Sequence, residues 1–393
     1  MKKDLCQDLF VPIFARCGSP LVRGKGVYLY DASGKQFLDF GSGIAVNALG
    51  HSHPALVKTI QQQATKLIHT SNLYCIKTQI ELAALLVRHS FGDRVFLCNS
   101  GTEAIEASIK FARKWAGAQD AGRHHILSFF QGFHGRTYGA MSATAQTKFH
   151  EGFGPIMPGC HYASLNDIPA VQALLAKHKF AAIIIEPLQG EGGIHQASTE
   201  FLTFLRKQAT ALGIALIFDE IQCGMGRTGT LWHYEQHNVI PDIMAIAKPL
   251  GGGLPLGGVI CTNEIALSMT VGSHGSTFGG NPLACAVGCT LFKIVSRKTF
   301  LNEVKSKGDY CRKLLTECSA ISPLVKEVRG AGLLNGIELC IDPKKVVEKC
   351  KEKGLLLIKA ESNTVRFLPP LTVERSHIDK AVEIFASVLK KCN

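Results

Sequence analysis

The sequence of 393 residues lacks the long apolar run that a membrane span requires. No segment reaches about 18 consecutive apolar residues, although 46% of the chain is hydrophobic. Low-complexity runs are also absent, which excludes a collagen, a coiled coil and a disordered tail. We therefore expect two or three folded domains with a substantial shared core and no membrane partner.

Cysteine pairs at metal-binding or redox spacing are also missing. The fourteen cysteines are scattered from Cys6 to Cys392, and none forms a Cys-x-x-Cys pair. The closest pair, Cys285 and Cys289, is one helical turn apart, which is more typical of packed thiols than of metal ligands. The amino terminus mixes lysines with aspartates and makes a poor signal peptide. These features predict a reduced, cytoplasmic protein.

A nucleic-acid-binding pattern is missing despite a formal net charge of +12. Residues 291–393 hold 20 Lys and Arg against 12 Asp and Glu, so this quarter supplies most of the excess. Its cations stand singly among apolar and acidic residues, as on the solvated face of helices. No aromatic cluster, basic zipper or zinc-finger spacing accompanies them. We expect no nucleic-acid partner.

Short apolar runs alternate with helical patterns through the middle of the chain. Residues 21–40 predict a β-meander, and from residue 54 helical spacing begins. The predicted buried strands cover residues 94–98, 126–130, 181–185, 214–218 and 243–247. Such runs with helices between them indicate an α/β fold with a parallel sheet. Chemistry in such sheets gathers beyond the carboxyl ends of the strands.

Three of these strand ends carry candidate functional residues. Ser100, Gly101 and Thr102 precede a helical pattern, and they form either a phosphate cup or an ordinary helix N-cap. Asp219 follows the run 214–218, where it either caps a helix or faces a protonated ring nitrogen, because an unpaired buried charge is unfavourable. Lys248 follows the run 243–247, where its amine is either a desolvated nucleophile or reaches the surface.

A strand-end acid, a strand-end lysine and a Ser-Gly-Thr helix start together suggest pyridoxal phosphate. Around them, nine stretches make the chain similar, nearly end to end, to the class III aminotransferases of fold-type I. The stretches are GSGIAV (41–46), LGHSHP (49–54), HTSNLY (69–74), NSGTEA (99–104), GFHGRT (132–137), EPLQGEGG (186–193), DEIQCGMGRTG (219–229), KPLGGGLPLGG (248–258) and STFGGNP (276–282).

The resemblance implies a domain organisation. A large domain with a mostly parallel central sheet flanked by helices would bind the cofactor, and a smaller α+β domain would be built from both chain ends. We expect residues 1–53 to contribute to the small domain, residues 54–285 to form the large domain, and residues 286–393 to complete the small domain.

The resemblance also implies cofactor-binding roles. Lys248 would carry pyridoxal phosphate and move a proton, and Asp219 would pair with the pyridinium nitrogen. Gln222 would bond the phenolic oxygen, and Phe133, otherwise a plain core aromatic, would stack on the ring. The phosphate would be held by Ser100, Gly101 and Thr102.

Two arginines would set the substrate class in this resemblance, because a guanidinium binds a carboxylate bidentately and stays charged. Arg136 would bind the carboxylate of the amino donor, and Arg366 the α-carboxylate of glutamate or 2-oxoglutarate. Glu191 would mask Arg366 when the donor's side-chain amine is bound. Outside their motifs, either arginine would be a surface ion pair. Ser276 and Thr277 would reach the active site of a neighbouring subunit, which implies a homodimer.

The substrates implied are small amino and oxo acids. Ornithine aminotransferases have a tyrosine, which recognises a free α-amino group, where this chain has Gly43 and Ile44. Its absence, with Ser71 and Asn72, leaves room for an acylated donor. We therefore expect transfer of the δ-amino group of N2-acetylornithine to 2-oxoglutarate in arginine biosynthesis. Succinylornithine, N-succinyl-diaminopimelate, ornithine and 4-aminobutyrate remain alternative donors. A pyridoxal-phosphate aminomutase and a catalytically silent binding module remain alternative functions.

Several histidines lie close together in the sequence. His51 and His53 flank one serine, and His124 and His125 are adjacent. Neither pair has the carboxylate or thiol neighbours of a zinc site. The sequence therefore predicts no metal site.

Overall fold

The protein is described here from a computed structural model, which covers residues 9–16 and 18–392. The first eight residues, on which the signal-peptide prediction rests, lie outside the described residues, as do Cys17 and Asn393. In the described part of the chain, no helix is long and apolar enough to cross a bilayer.

Three sheets and the helices around them make up the described fold. The strands are, in chain order, β1 (Leu21–Lys25), β2 (Tyr28–Asp31), β3 (Gln36–Asp39), β4 (Arg94–Cys98), β5 (His125–Phe129), β6 (Cys160–Ala163), β7 (Phe180–Ile185), β8 (Ala215–Asp219), β9 (Ile243–Ile246), β10 (Gly257–Cys261), β11 (Val325–Ala331), β12 (Leu334–Leu339), β13 (Leu355–Leu356), β14 (Ile358–Ala360) and β15 (Thr364–Phe367). The α-helices are α1 (Pro54–Ala64), α2 (Lys77–Arg88), α3 (Gly101–Gln119), α4 (Tyr138–Ala143), α5 (Ile168–Lys177), α6 (Thr199–Leu212), α7 (Asn263–Leu267), α8 (Pro282–Val295), α9 (Lys298–Ile321), α10 (Lys344–Glu352) and α11 (Arg375–Leu389).

The central sheet has seven strands in the order β4-β10-β9-β8-β7-β5-β6. Its strands are parallel except β10, which runs antiparallel to both β4 and β9. The predicted α/β fold with a mostly parallel sheet is confirmed, and each of the five predicted buried strands is present. The sequence did not reveal β6 or β10.

The middle strands are apolar because both faces of the sheet are covered by helices. Every residue of β7, β8 and β9 is buried, and burying one Ile or Leu side chain contributes about 1.5–3 kcal/mol. The crossover helix α6 begins where Ser198 Oγ accepts the Phe201 N–H at 3.1 Å. It ends at Gly213, whose φ of +62° is the left-handed conformation that favours glycine.

The two chain ends meet in a second sheet, β1-β2-β3-β13. The predicted meander β1–β3 is antiparallel, and β13 joins it in parallel through the pair Leu38 and Leu355. A third sheet, β11-β12-β15-β14, is antiparallel throughout. The three-part domain division stays a prediction. The β3–β13 pairing supports a domain built from both ends, and α8 crosses the predicted boundary at residue 285 as one continuous helix.

Candidate active site

The predicted functional residues gather at the carboxyl edge of the central sheet. Asp219 is the last residue of β8, and Lys248 comes two residues after β9. Glu186 directly follows β7, and Ser100 comes two residues after β4. Since these strands are parallel, their carboxyl ends lie at one edge, as the sequence predicts.

Lys248 has an unusual backbone and an unpaired amine. Its φ of +41° lies in the left-handed region, where a residue with a Cβ is strained, and such strain clusters at functional sites. Among the described residues the amine has no hydrogen-bond or ion-pair partner. Burial, followed by the positive charge of Arg366, lowers the pKa of Lys248 to about 8. A large fraction of the amine is therefore unprotonated in mildly alkaline solution.

Asp219 is buried and paired with an imidazole. Its Oδ2 lies 2.8 Å from Nδ1 of His134, which is buried as well, and its Oδ1 accepts the Ile221 N–H at 3.1 Å. The imidazole fixes the orientation of the carboxylate and partly offsets its desolvation. The main chain of His134 is held in turn, because its main-chain N–H donates to Thr144 Oγ1 at 2.8 Å.

Glu186 ties together two loops at this edge. Its Oε2 accepts the Phe133 N–H at 2.8 Å, and its Oε1 accepts the Gly190 N–H at 3.0 Å. Burial, and then the negative charge of Asp219, raise the pKa of Glu186 to about 7. The carboxyl group therefore links the Phe133 loop to the loop that leads to Glu191.

Arg366 is buried and bridges several elements. One of its terminal nitrogens donates to Glu191 Oε2 at 2.7 Å and to the Lys359 carbonyl at 3.1 Å. The other lies 3.4 Å from Gln222 Oε1 and 3.3 Å from the Gly190 carbonyl. Its buried Nε has no partner. The structure thus brings Glu191, Gln222 and Arg366 into contact, and the Arg366 Nε–H is still free to donate a hydrogen bond.

The Ser-Gly-Thr segment forms the start of α3. Ser100 Oγ accepts the Glu103 N–H at 3.3 Å, so this side chain is the N-cap that the sequence left open. The N–H groups of Gly101 and Thr102 have no partner within the described residues, and Thr102 Oγ1 lies 2.8 Å from Thr137 Oγ1. Free N–H groups and hydroxyls at the start of a 19-residue helix suit an anion.

Phe133 and Arg136 form an aromatic and cationic group beside this helix. The Phe133 ring meets the Phe149 ring edge-on at 5.8 Å. Arg136 is exposed, and its guanidinium lies 3.8 Å from the centre of the Phe149 ring. It has no carboxylate partner among the described residues, so its charge is available to a substrate.

Ser276 and Thr277 have no hydrogen bond to Lys248, Asp219 or Arg366 within the described part of the chain. Ser276 Oγ accepts a hydrogen bond from the Asn99 side chain at 3.2 Å. Thr277 is exposed, and nothing in the described part of the chain bonds its side chain. The chain therefore does not join these two predicted residues to Asp219 or Arg366.

Two residues of this site were not assigned a role from the sequence. His134 and Glu186 lie inside the quoted stretches GFHGRT and EPLQGEGG, but their partners come from other strands. A buried strand-end acid needs a partner, so a histidine in the stretch that follows another strand of the same sheet, β5, was the signal for His134.

These groups fit pyridoxal phosphate. A free amine of lowered pKa suits an aldehyde, a buried carboxylate suits a protonated ring nitrogen, and the unpaired N–H groups of Gly101 and Thr102 suit a phosphate. No described residue of the site conflicts with this donor set. The residues that would hold the group are therefore Lys248, Asp219, Gln222 and the start of α3.

Known proteins resemble the chain over nearly its full length. The family described as aminotransferase class-III matches residues 15–389. The acetylornithine aminotransferase of Aquifex aeolicus is 47% identical over 377 residues, covering 96% of this chain and 98% of that protein. The enzyme of the same name from Methanocaldococcus jannaschii is 44% identical over 393 residues, covering 98% of each.

Solved structures agree with this relationship. The ornithine aminotransferase of Toxoplasma gondii superposes with a TM-score of 0.93 at 30% identity, covers 98% of this chain and 93% of its own, and carries pyridoxal phosphate at partial occupancy in its active site. The N-acetylornithine aminotransferase of Stenotrophomonas maltophilia has a TM-score of 0.85 at 33% identity, covering 96% and 97%. The predicted fold-type I architecture and cofactor are confirmed, and the chain belongs to the class-III aminotransferase family.

Proposed function

We propose that this enzyme transfers the δ-amino group of N2-acetylornithine to 2-oxoglutarate, giving N-acetylglutamate 5-semialdehyde and glutamate in arginine biosynthesis. The observation that carries the choice of donor is the turn Ser42–Ala45. All four residues have φ between 49° and 65°, and Ile44 is 46% exposed. An apolar side chain there offers no acceptor to a charged α-amino group, whereas an acylated α-nitrogen carries no positive charge.

This turn is held firmly beside Arg366. Asp39 Oδ1 accepts the N–H groups of Gly41 and Ser42, both at 2.9 Å. Ser42 Oγ donates to the Leu368 carbonyl at 2.6 Å, two residues after Arg366. The left-handed conformation costs about 1–2 kcal/mol for each residue with a Cβ, and these bonds offset part of that cost. A fixed apolar wall next to the arginine supports an acylated donor.

The chain's own residues supply positioning and proton transfer. Pyridoxal phosphate, when bound, supplies an electrophilic carbon for the amino group and a ring that delocalises the electron pair of a deprotonated carbon. Lys248 Nζ, with its lowered pKa, removes the proton from the amino-bearing carbon of the donor. Asp219, oriented by His134, holds a positive charge at the carboxyl edge of β8.

Two acids that carry the transferred amino group at different carbons, δ in acetylornithine and α in glutamate, must use one site, and Arg366 with Glu191 can serve both. With the pair intact at 2.7 Å, the guanidinium is masked and an ω-amino donor can be bound through Arg136. When the Glu191 carboxylate leaves, Arg366 is free to bind the α-carboxylate of glutamate or 2-oxoglutarate bidentately. The Glu191 side chain is 32% exposed, so it has room to move.

We also propose that two copies of the chain form a homodimer with shared active sites. Large apolar side chains are exposed near Ser276 and Thr277, with Leu73 at 88% and Phe278 at 62%. Asn72 ties the two segments together by donating to the Ser276 and Gly279 carbonyls. Such a patch is typical of an interface between subunits.

We place the enzyme in the cytoplasm. The twelve cysteines in the described part of the chain are free, and burial raises the pKa of several of them, including Cys285 and Cys311, to about 12. Thiols of this kind are inert structural residues, as expected for a reducing compartment.

The donor is identified by following the absorption of the bound cofactor with single amino compounds. N2-acetylornithine should convert it at least about 10-fold faster than ornithine or 4-aminobutyrate. Lys248→Ala should lose the absorption of the lysine-bound cofactor and show no conversion. Ile44→Tyr should narrow the ratio between acetylornithine and ornithine, because it adds a hydroxyl to the turn. Faster conversion by succinylornithine or ornithine would reject the acetylated donor.

A further inference from the structure

Three histidines that are far apart in the sequence meet at the amino edge of the central sheet. His125 begins β5, His161 is the second residue of β6, and His178 lies two residues before β7. β5 lies between β6 and β7, with Leu127 paired to His161 and His125 paired to Phe180. Alternation along the strands therefore directs the three imidazoles to one face of the sheet.

The three rings are close enough to share one ion. Their centres are 4.9 Å apart for His125 and His161, 5.2 Å for His125 and His178, and 4.0 Å for His161 and His178. One ring nitrogen of each lies within 4.8 Å of the others. Zinc bound to imidazole at about 2.0–2.1 Å requires nitrogens about 3.3 Å apart. The spacing of about 3.3 Å lies between the 2.8 Å that separates Nδ1 of His125 from Nε2 of His161 and the 4.8 Å limit for all three residues.

We propose that His125, His161 and His178, the histidine cluster, form a binding site for a divalent transition-metal ion of the zinc class. Three imidazole nitrogens select zinc, copper or nickel over magnesium and calcium, which prefer oxygen ligands. All three residues are half-buried, which leaves a fourth position open to water. The sequence predicts no metal here because only His125 has a histidine neighbour along the chain.

The surroundings keep the cluster in position. The Phe180 ring lies between 5.4 Å and 6.1 Å from each of the three imidazoles and forms an apolar floor. The exposed His124 stacks on His125 at 4.4 Å. The main chain is fixed by the bonds from Ile126 N–H to Gly159 and from His178 N–H to Leu174. A site on rigid strands loses little entropy when it binds an ion.

The protonation state also suits a ligand set. Burial first, then the charges of His124 and His178, lower the pKa of His125. Burial first, then His178, His125 and Lys177, lower the pKa of His161. Nδ1 of His125 and Nε2 of His161 lie 2.8 Å apart, so one of these nitrogens carries a proton and donates a hydrogen bond to the other. Binding moves that proton to the outer nitrogen of its own ring, with no net release from neutral imidazoles.

Isothermal titration of the full-length, untagged holoenzyme with ZnCl2 tests the proposal. Each wild-type chain should bind one more zinc ion than a chain of the double variant His161→Gln/His178→Gln. The variant His124→Gln should bind as many zinc ions per chain as the wild type. The difference removes the contribution of zinc bound elsewhere by cysteines. X-ray absorption at the zinc edge should show nitrogen neighbours for the additional ion.

The milder variant His178→Gln covers the case in which the double variant does not fold. It should weaken zinc binding by more than about 10-fold, the loss that even an outer partner of a ligand causes. Equal stoichiometry and affinity in the wild type and the His178→Gln variant, or a sulfur shell around the additional ion, would overturn the site. The cluster lies a strand length, about 15 Å, from Asp219, so cofactor absorption should stay unchanged in every variant and reports proper folding.

Discussion

Ionisable side chains have different neighbours at the carboxyl edge and at the amino edge of the central sheet. At the carboxyl edge buried groups of opposite charge are paired, as in His134 with Asp219 and Arg366 with Glu191, while the Lys248 amine beside them stays unpaired within the described part of the chain. At the amino edge the histidine cluster has no carboxylate beside it in the described residues. The first arrangement favours charged ligands of both signs, whereas the second keeps neutral lone pairs that favour a metal cation. One sheet thus supports two kinds of binding chemistry.

The largest effect should come from removing a charge at the carboxyl edge. Asp219→Asn keeps the shape and an acceptor for His134 but removes the negative charge, so kcat/KM should fall about 100- to 1000-fold, as for other preorganised electrostatic groups. Steady-state kinetics measure this. The matched variant Asp120→Asn, at the amino edge, breaks an exposed ion pair with Lys179 and should keep the wild-type rate. Equal rates for both variants would contradict the assignment of Asp219.

A smaller effect should follow from breaking the pair that masks Arg366. Glu191→Gln should lower the KM for glutamate, because the guanidinium no longer has to leave a carboxylate. The KM for N2-acetylornithine should rise, and the ratio of the two constants should shift about 10-fold, as for one hydrogen bond to a charged group. Glu327→Gln breaks the more exposed pair with Arg329 and serves as the control. An unchanged ratio would exclude a gating role for Glu191.

The smallest effect should be on stability and concerns the buried imidazole of His233, whose ring nitrogens do not pair with a carboxylate among the described residues. His233 faces the Thr228 hydroxyl at 3.0 Å and His237 at 3.4 Å, and burial lowers its pKa to about 3. The unfolded chain has the ordinary value of about 6.5, so between these values the unfolded state binds more protons. The contribution of His233 to the free energy of unfolding should therefore fall by about 1 kcal/mol between pH 7.5 and pH 5.5.

Melting temperatures at the two pH values measure this loss. In His233→Gln the drop between pH 7.5 and pH 5.5 should be smaller, because the group that takes up the proton on unfolding is gone. The exposed His124→Gln should show the wild-type drop. A drop of the same size in all three proteins would place the acid sensitivity elsewhere.

The strand ends of the carboxyl edge could be predicted from the sequence because the contrast there is strong. An ionisable residue directly after five apolar residues marks both Asp219 and Lys248, and the apolar runs fix the strands within one residue. The strand β10 gave no such signal. It begins with Gly257 and Gly258, which weaken a strand pattern but let its backbone approach Ser100 and Phe96 closely.

Contacts between strands could not be predicted from local patterns. The pair of His134 and Asp219 joins residues 85 apart, and it depends on β5 and β8 being separated in the sheet by β7 alone. The histidine cluster depends on the same sheet order, with β5 between β6 and β7. The apolar pattern along the chain predicts which residues form each strand. Which side chains contact each other depends on the order of the strands in the sheet, and local patterns do not contain that order.

The parallel pairing of β13 with β3 has a consequence for synthesis on the ribosome. Leu38 emerges early, but its partner Leu355 follows only roughly 320 residues later. At about 5–20 residues per second the first three strands wait roughly 15–60 s for their fourth. During that time β3 has an open edge beside apolar Phe37 and Leu38. Newly made chains therefore have an unpaired, partly apolar strand edge until β13 has been synthesised.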